Sequence, residues 1–336
     1  MTAAPAFDLG NAEWLAHRYV ESDDTVRFIH LPRAEHERQA FLIDTLLGQR
    51  PTSPDLPAEP LLERPHGKLH FLFHSAFCGS TLLARALSVP GAAMGLSEPA
   101  ILNDVVGFRR RGAPAPAVAR AADLALRLLG RPFGPGEAVI VKPSNILNPL
   151  AELLLALEDQ GRALFLYAPL ETFLVSVARK GLHCRAWVRE LLEGYVQDNF
   201  VHLGFAPEDY FRLTDLQVAA IGWLAQHQYF TALSGKLGTR LASLDADLLT
   251  ERPEAAIAAV AAHYGLALDA AAVAKGPAFS RNSKSGADYS PAARSADYAA
   301  ARAAYGEEIA MVVTWAGAVA ANVGLTLDGP NPLLQA

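Results

Sequence analysis

Residues 68–74 read KLHFLFH, and residues 75–85 read SAFCGSTLLAR. The first stretch is a short apolar run of the kind found in a strand buried on both faces. The second opens on a turn of small residues and continues from Ser80 to Ser88 with helical spacing. In a sheet built of such strand–turn–helix units, ligands bind at the carboxyl ends of the strands. Small residues let successive backbone N–H groups converge on an anion, and the start of the helix adds its positive end. Against the phosphate-cradling pattern G-x-x-x-x-G-K-[ST], Gly79 and Thr81 fit, whereas His74 stands at the first Gly and Ser80 at the Lys. The cation that a nucleoside triphosphatase places on the terminal phosphates is therefore missing, which argues against ATP or GTP hydrolysis. The plain alternative is a capped tight turn. In that case Cys78 is a small buried residue and not a nucleophile, because no His–acid pattern stands beside it.

The same alternation continues downstream. Residues 138–142 (AVIVK) form a second buried strand, and Asn148-Pro149 predicts a side-chain cap with Pro at the first position of a helix reaching Asp159. Residues 162–167 (RALFLY) form a third strand, followed by Pro169 and a helix to Lys180. Residues 239–244 (TRLASL) suggest a fourth. Residues 92–97 are a candidate strand beside the first one. Short apolar strands each followed by a helix indicate a parallel sheet covered on both faces. Beyond residue 185 helices dominate. Thr214-x-x-Gln217 is a capping box opening an amphipathic helix to Leu233, and 291–321 reads as a final helix.

Upstream, Glu13–Tyr19 and Glu35–Leu47 have helical spacing and Val26–Leu31 alternates like a strand. A Pro-rich connector starts at Arg50 and ends near Pro65. Residues 1–66 are thus expected to be an N-terminal extension or small subdomain, and 67–336 the main domain.

Composition narrows the function classes. Of 336 residues, 51% are hydrophobic and 19% charged, far from the signature of disorder. No window approaches the roughly 18 apolar residues of a membrane span, and Met1–Gly10 lacks the basic and apolar regions of a secretory signal. Cys78 and Cys184 form no disulfide framework and no metal-ligand spacing, which suits reduced thiols in a cytoplasmic protein. A net charge of −6 predicts a surface that repels nucleic acid, so a polyanionic ligand needs a local cationic cluster.

Taken in order, the motifs resemble the P-loop sulfotransferases. Phe77-Cys78-Gly79-Ser80-Thr81 is similar to their 5′-phosphosulfate loop, [KR]-S-G-T-T followed by an apolar helix. Ser97-Glu98-Pro99 resembles the acidic motif after the second strand in the carbohydrate, protein-tyrosine and bacterial branches. Val141-Lys142-Pro143-Ser144 resembles their strand-ending Lys shortly before Pro. Leu164–Pro169 with Ser176 resembles the 3′-phosphate segment, R-x-P with a Ser in the following helix. Residues 279–286 (FSRNSKSG) look like a basic adenylate loop. The resemblance spans residues 68–290 and implies an α/β P-loop three-layer fold with a central parallel sheet and a helix-rich C-terminal half. It further implies 3′-phosphoadenosine 5′-phosphosulfate (PAPS) as donor substrate, no metal, and a small-molecule or peptide acceptor. Ser75, Cys78, Gly79, Ser80, Thr81, Ser176, Arg281 and Lys284 would hold the donor. The sequence departs from the pattern at two cations: the loop Lys or Arg falls on Phe77, and the 3′-phosphate Arg falls on Tyr167. Arg179, Lys180, Arg281 and Lys284 are the available substitutes.

Sulfuryl transfer, like phosphoryl transfer, is mostly positioning and charge stabilisation, with a base for the acceptor. Lys142, at the end of an apolar strand, is costly to bury unless it faces an anion. Glu98 is the candidate base and His74 its rival. His183 is a weaker candidate, Trp223, His227 and Phe230 are expected in the core, and Arg109–Arg111 at a solvated helix end. Two competing readings stand beside this one. In a phosphotransferase, Lys142 or Arg85 would replace the loop Lys and Asp245 would hold Mg²⁺. A non-catalytic nucleotide-binding module would account for the losses at Phe77 and Tyr167.

Overall fold

The computed structural model describes residues 5–280 and 291–335, with side chains in the last helix from Tyr298 onward. Arg281 and Lys284 lie outside the described residues.

Five strands form one parallel sheet. In chain order they are β4 (Leu69–His74), β5 (Ala93–Ser97), β6 (Ala138–Lys142), β7 (Ala163–Tyr167) and β8 (Leu241–Asp245), and in space they run β5-β6-β4-β7-β8. Every residue of β4 through β7 is buried, as the unbroken apolar runs require of a sheet covered on both faces by helices. β4 sits in the centre, with Phe71 level with Val141 of β6 and Ala163 of β7. β5 does not adjoin β4. It pairs with β6, so that Ser97 lies beside Lys142. The expectation that 92–97 would neighbour the first strand is corrected here: β6 inserts between them, and Glu98 reaches the centre of the sheet across the end of that strand.

The core runs through the sheet. Phe165 and Phe230 stack with centroids 4.3 Å apart, and His227 stacks on Trp223 at 3.4 Å. Helix Asp215–Leu237 begins with the predicted box: the Gln217 N–H donates to Thr214 Oγ1 and the Thr214 N–H to Gln217 Oε1. It is buried on nearly all sides, and not on one stripe as an amphipathic reading implies. Asn148 does not cap a helix. Its amide donates to the carbonyl of His74 (3.2 Å) and to Gln226 Oε1 (2.8 Å), and a 3-10 turn, Asn145–Leu150, precedes helix Ala151–Leu157. Tertiary partners outcompete the local cap.

Helix Ser80–Ala86 lies directly on β5, because Gly95 has no side chain to hold it off. A Cβ on Gly95 would stand 2.3 Å from the carbonyl oxygen of Ala84. Gly95→Ala is expected to cost about 1–3 kcal/mol, as overpacking does. A urea midpoint equal to the wild type would contradict this packing.

Before the main sheet, β1 (Trp14–Val20), β2 (Thr25–His30) and β3 (Leu56–Pro57) form an antiparallel sheet in the order β1-β2-β3. Glu13–Tyr19 is therefore strand and not helix: Trp14 to Val20 pair with β2 across a tight turn where Asp24 takes φ 49. The aromatic and branched residues of this stretch suit a strand, and β2 supplies the long-range partner that periodicity cannot show. Glu35–Leu47 is not one helix either. Single turns, Arg33–His36 and Asp44–Leu47, flank an irregular stretch that crosses to the parallel sheet. There the Leu42 N–H donates to the Ser97 carbonyl (2.8 Å), and the Ala100 N–H donates to the Leu42 carbonyl (3.1 Å). Among the described residues no helix is long and apolar enough to cross a membrane.

Candidate active site

The turn after β4 has an unusual backbone. Ala76 (φ 70), Phe77 (φ 51) and Gly79 (φ 78) all take left-handed conformations, which only glycine adopts without strain. Two such non-glycine residues in succession persist only where surrounding contacts enforce them, and such strain clusters at functional sites. His74 provides that enforcement. Its Nδ1 accepts from the Ala76 N–H (3.1 Å), which leaves Nε2 to donate to the carbonyl of Pro143 (3.1 Å). Both ring nitrogens are thereby engaged by the backbone, and His74 is a loop-positioning residue in this arrangement. Among the described residues, no protein acceptor serves the amides of Gly79, Thr81 or Leu82. These are the groups a turn of this kind can turn toward an anion.

The turn forms one wall of a cavity of about 600 Å³. Phe77, Gly79, Ser80 and Thr81 line it, with Glu98, Asn145 and Lys180 facing across. The other two loop residues predicted to bind turn away. The Ser75 hydroxyl accepts from the Ala168 N–H (3.2 Å), and Cys78 is buried, which pushes its thiol pKa up through desolvation. A protonated, enclosed thiol is a poor nucleophile.

Glu98 brings a carboxylate to the cavity. It lies just past β5 in a left-handed conformation (φ 53), and its N–H donates to the Lys142 carbonyl (2.6 Å). Its Oε1 accepts from Lys142 Nζ at 2.5 Å and lies 3.7 Å from His74 Nε2. Lys142 is 0% exposed, and its ammonium stands 5.2 Å from the centroid of the Phe41 ring. The ammonium thus sits beside the Glu98 carboxylate and 3.4 Å from His74 Nε2, in keeping with the cost of burying a charge without a partner.

The cation missing from the loop has a neighbour. Lys180 lines the cavity with Nζ 4.5 Å from the centroid of Phe77, the residue that stands in the usual Lys or Arg position. Trp187 packs edge-on against Phe77 at 5.4 Å, and His183 and Cys184 complete that side. Phe41, Asn145 and Trp187 escaped sequence reasoning, since no local pattern distinguishes them from core or loop residues.

Ser176 is elsewhere. It is 1% exposed, its hydroxyl is hydrogen-bonded to the Tyr298 hydroxyl (2.6 Å), and Arg179 lies over the same tyrosine ring. Tyr167 is buried against His227, and a Cβ on Gly329 would meet its ring at 2.4 Å. Among the described residues the turn after β4 thus faces the cavity, whereas Ser176 and Tyr167 after β7 are packed against the last helix and the C-terminal segment. Arg85 points away, donating to the Arg38 carbonyl. Asp245 caps helix Ala246–Glu251 by accepting from the Asp247 N–H, at the end of β8, two strands from β4. Arg109 and Arg110 bridge to Asp198, and Arg111 to Glu21.

No family model matches the chain, and no curated protein matches it. Two solved structures are similar in outline. A sulfotransferase domain from the curacin biosynthetic pathway is 15% identical, with 67% of this chain and 81% of that one covered at a TM-score of 0.43. A sulfotransferase domain from the Synechococcus PCC 7002 olefin synthase is 11% identical, with 69% and 84% covered at a TM-score of 0.39.

Proposed function

We propose that the chain is a sulfotransferase-like enzyme that moves a sulfuryl group from a phosphoadenylyl sulfate donor to a hydroxyl or amine. The observation that carries this reading is Glu98, paired with the buried Lys142, in the cavity that the left-handed turn 76–79 lines. In such a transfer the acceptor oxygen or nitrogen bonds to sulfur while the bond from sulfur to the bridging phosphate oxygen breaks. The acceptor's proton must leave as that bond forms. Glu98 is the group placed to take it: Oε1 is engaged by Lys142, which orients the carboxylate, and Oε2 is left to accept. The amides of Gly79, Thr81 and Leu82, with the Ser80 and Thr81 hydroxyls, would hold the 5′-phosphosulfate end. Lys180 would supply positive charge over Phe77. Lys142 works through Glu98.

Of the residues expected at the donor's 3′-phosphate, Ser176 is hydrogen-bonded to Tyr298, and Arg281 and Lys284 lie outside the described residues. A thermal-shift panel tests this assignment with 3′-phosphoadenosine 5′-phosphate, adenosine 5′-phosphosulfate, ATP with Mg²⁺, and GTP. A ligand at 100 times its Kd stabilises by about 2.7 kcal/mol. A shift with either of the first two, lost in Gly79→Val, is the expected result. A shift only with ATP and Mg²⁺ would favour phosphoryl transfer. Binding without turnover of any sulfate donor would favour a nucleotide-binding module.

A further inference from the structure

The irregular stretch between β2 and β3 enters the site at Phe41 and Leu42. Leu42 is 1% exposed, and its own N–H and C=O bracket the turn that carries Glu98: one bonds to Ser97, the other to Ala100. Those two bonds hold the turn from outside the main sheet. The next residue back, Phe41, lines the cavity and places its ring over the Lys142 ammonium. An aromatic face over a desolvated ammonium attracts it electrostatically; the ammonium is fully buried, whereas Glu98 lines the cavity together with Phe41.

We propose that Phe41 is a positioning residue for the Glu98–Lys142 pair, which makes the N-terminal module a working part of the site. The inference rests on the reading of Glu98 as the proton acceptor. The charged and titratable groups around that carboxylate are Lys142 from β6 and His74 from β4, with Lys180 and His183 across the cavity. Phe41 is the group from the N-terminal module that stands against them. Without its ring the ammonium can swing or hydrate, and the carboxylate loses its fixed orientation.

Three variants test this. Phe41→Ala removes ring and bulk, Phe41→Leu keeps bulk without a π face, and Phe41→Tyr keeps both. Phe41→Ala is expected to lower kcat by about 10–100-fold, the scale of a small misplacement of a catalytic group. The KM for the donor should stay unchanged, Phe41→Leu should fall between, and Phe41→Tyr should restore wild-type kcat. A second readout does not need turnover: acetylation of Lys142 by acetic anhydride, followed by peptide mass spectrometry on the folded protein, should rise severalfold in Phe41→Ala. If Phe41→Ala fails to fold, both readouts are taken on Phe41→Leu. Wild-type kcat in folded Phe41→Ala, or a loss that Phe41→Tyr does not restore, would overturn the proposal. So would unchanged Lys142 acetylation. A wild type that turns over no sulfate donor would instead overturn the reading of the reaction, and the acetylation result would still decide whether Phe41 covers the pair.

Discussion

Glu98→Gln lowers kcat by about 10²–10⁴-fold while nucleotide affinity stays near that of the wild type, if Glu98 takes the acceptor's proton. The amide keeps the shape of the side chain and can still accept from Lys142, so the turn and the loop stay in place. What disappears is the ability to accept a proton as the new bond forms. The variant must be compared at equal folded fraction, because Lys142 is 0% exposed and loses its anionic partner in Glu98→Gln. Breaking a buried ion pair from one side can cost about 3–5 kcal/mol. The double variant Glu98→Gln with Lys142→Met separates the two effects. It removes the buried ammonium as well, so stability should recover while kcat stays low. Full activity in Glu98→Gln would eliminate this carboxylate as the base. The next test would then be His74, although both its ring nitrogens already serve the backbone.

The second large effect is acid instability centred between pH 6.5 and 4. Burial pushes the pKa of His36 and of His227 down to about 3, and that of His70 down to about 4. His263 moves the same way for the same reason. Each is packed against an aromatic ring: His36 on Phe133, His70 on Tyr264 and His227 on Trp223. The folded protein therefore keeps these rings neutral where the unfolded chain, with an ordinary value near 6.5, already binds protons. Stability is full above pH 6.5 and falls as the pH drops, because the unfolded state gains protons first. Each ring contributes about 1.4 kcal/mol per pH unit in that window, or about 4 kcal/mol per unit for three. Two units are enough to rival a total stability of about 5–15 kcal/mol. Asp245 and Glu158, pushed up by burial, act in the opposite direction within the carboxylate range. Asp44 and Asp55, held low by His17 and Arg27, add further acid loss only below their ordinary values. Urea midpoints from pH 7.5 to 4.5 measure the slope, and His227→Gln should make it shallower by about a third of the three-histidine total. A flat profile would mean that these rings are protonated in the folded state.

The sequence by itself determined the parts whose signals lie within a few residues of one another. The apolar runs 69–74, 138–142 and 162–167, each followed by a helix, indicated strands covered on both faces, and the Thr214–Gln217 box indicated a helix start. Lys142 stood out because a charged residue is conspicuous at the end of an apolar strand, and Glu98 because Ser97-Glu98-Pro99 resembles a known acidic motif. Tertiary structure decided everything that depends on partners distant in the chain. It put β6 between β4 and β5, and so set Glu98 against a lysine 44 residues away. It turned Trp14–Val20 into a strand by supplying β2. It drew Ser176 to Tyr298, 122 residues further on, and left Cys78 and Ser75 facing inward. It brought Phe41 onto Lys142 from an element with no motif. Periodicity and capping record only interactions a turn or two apart, whereas burial, pairing order and the cover over an ion pair depend on which surfaces meet when the chain closes on itself.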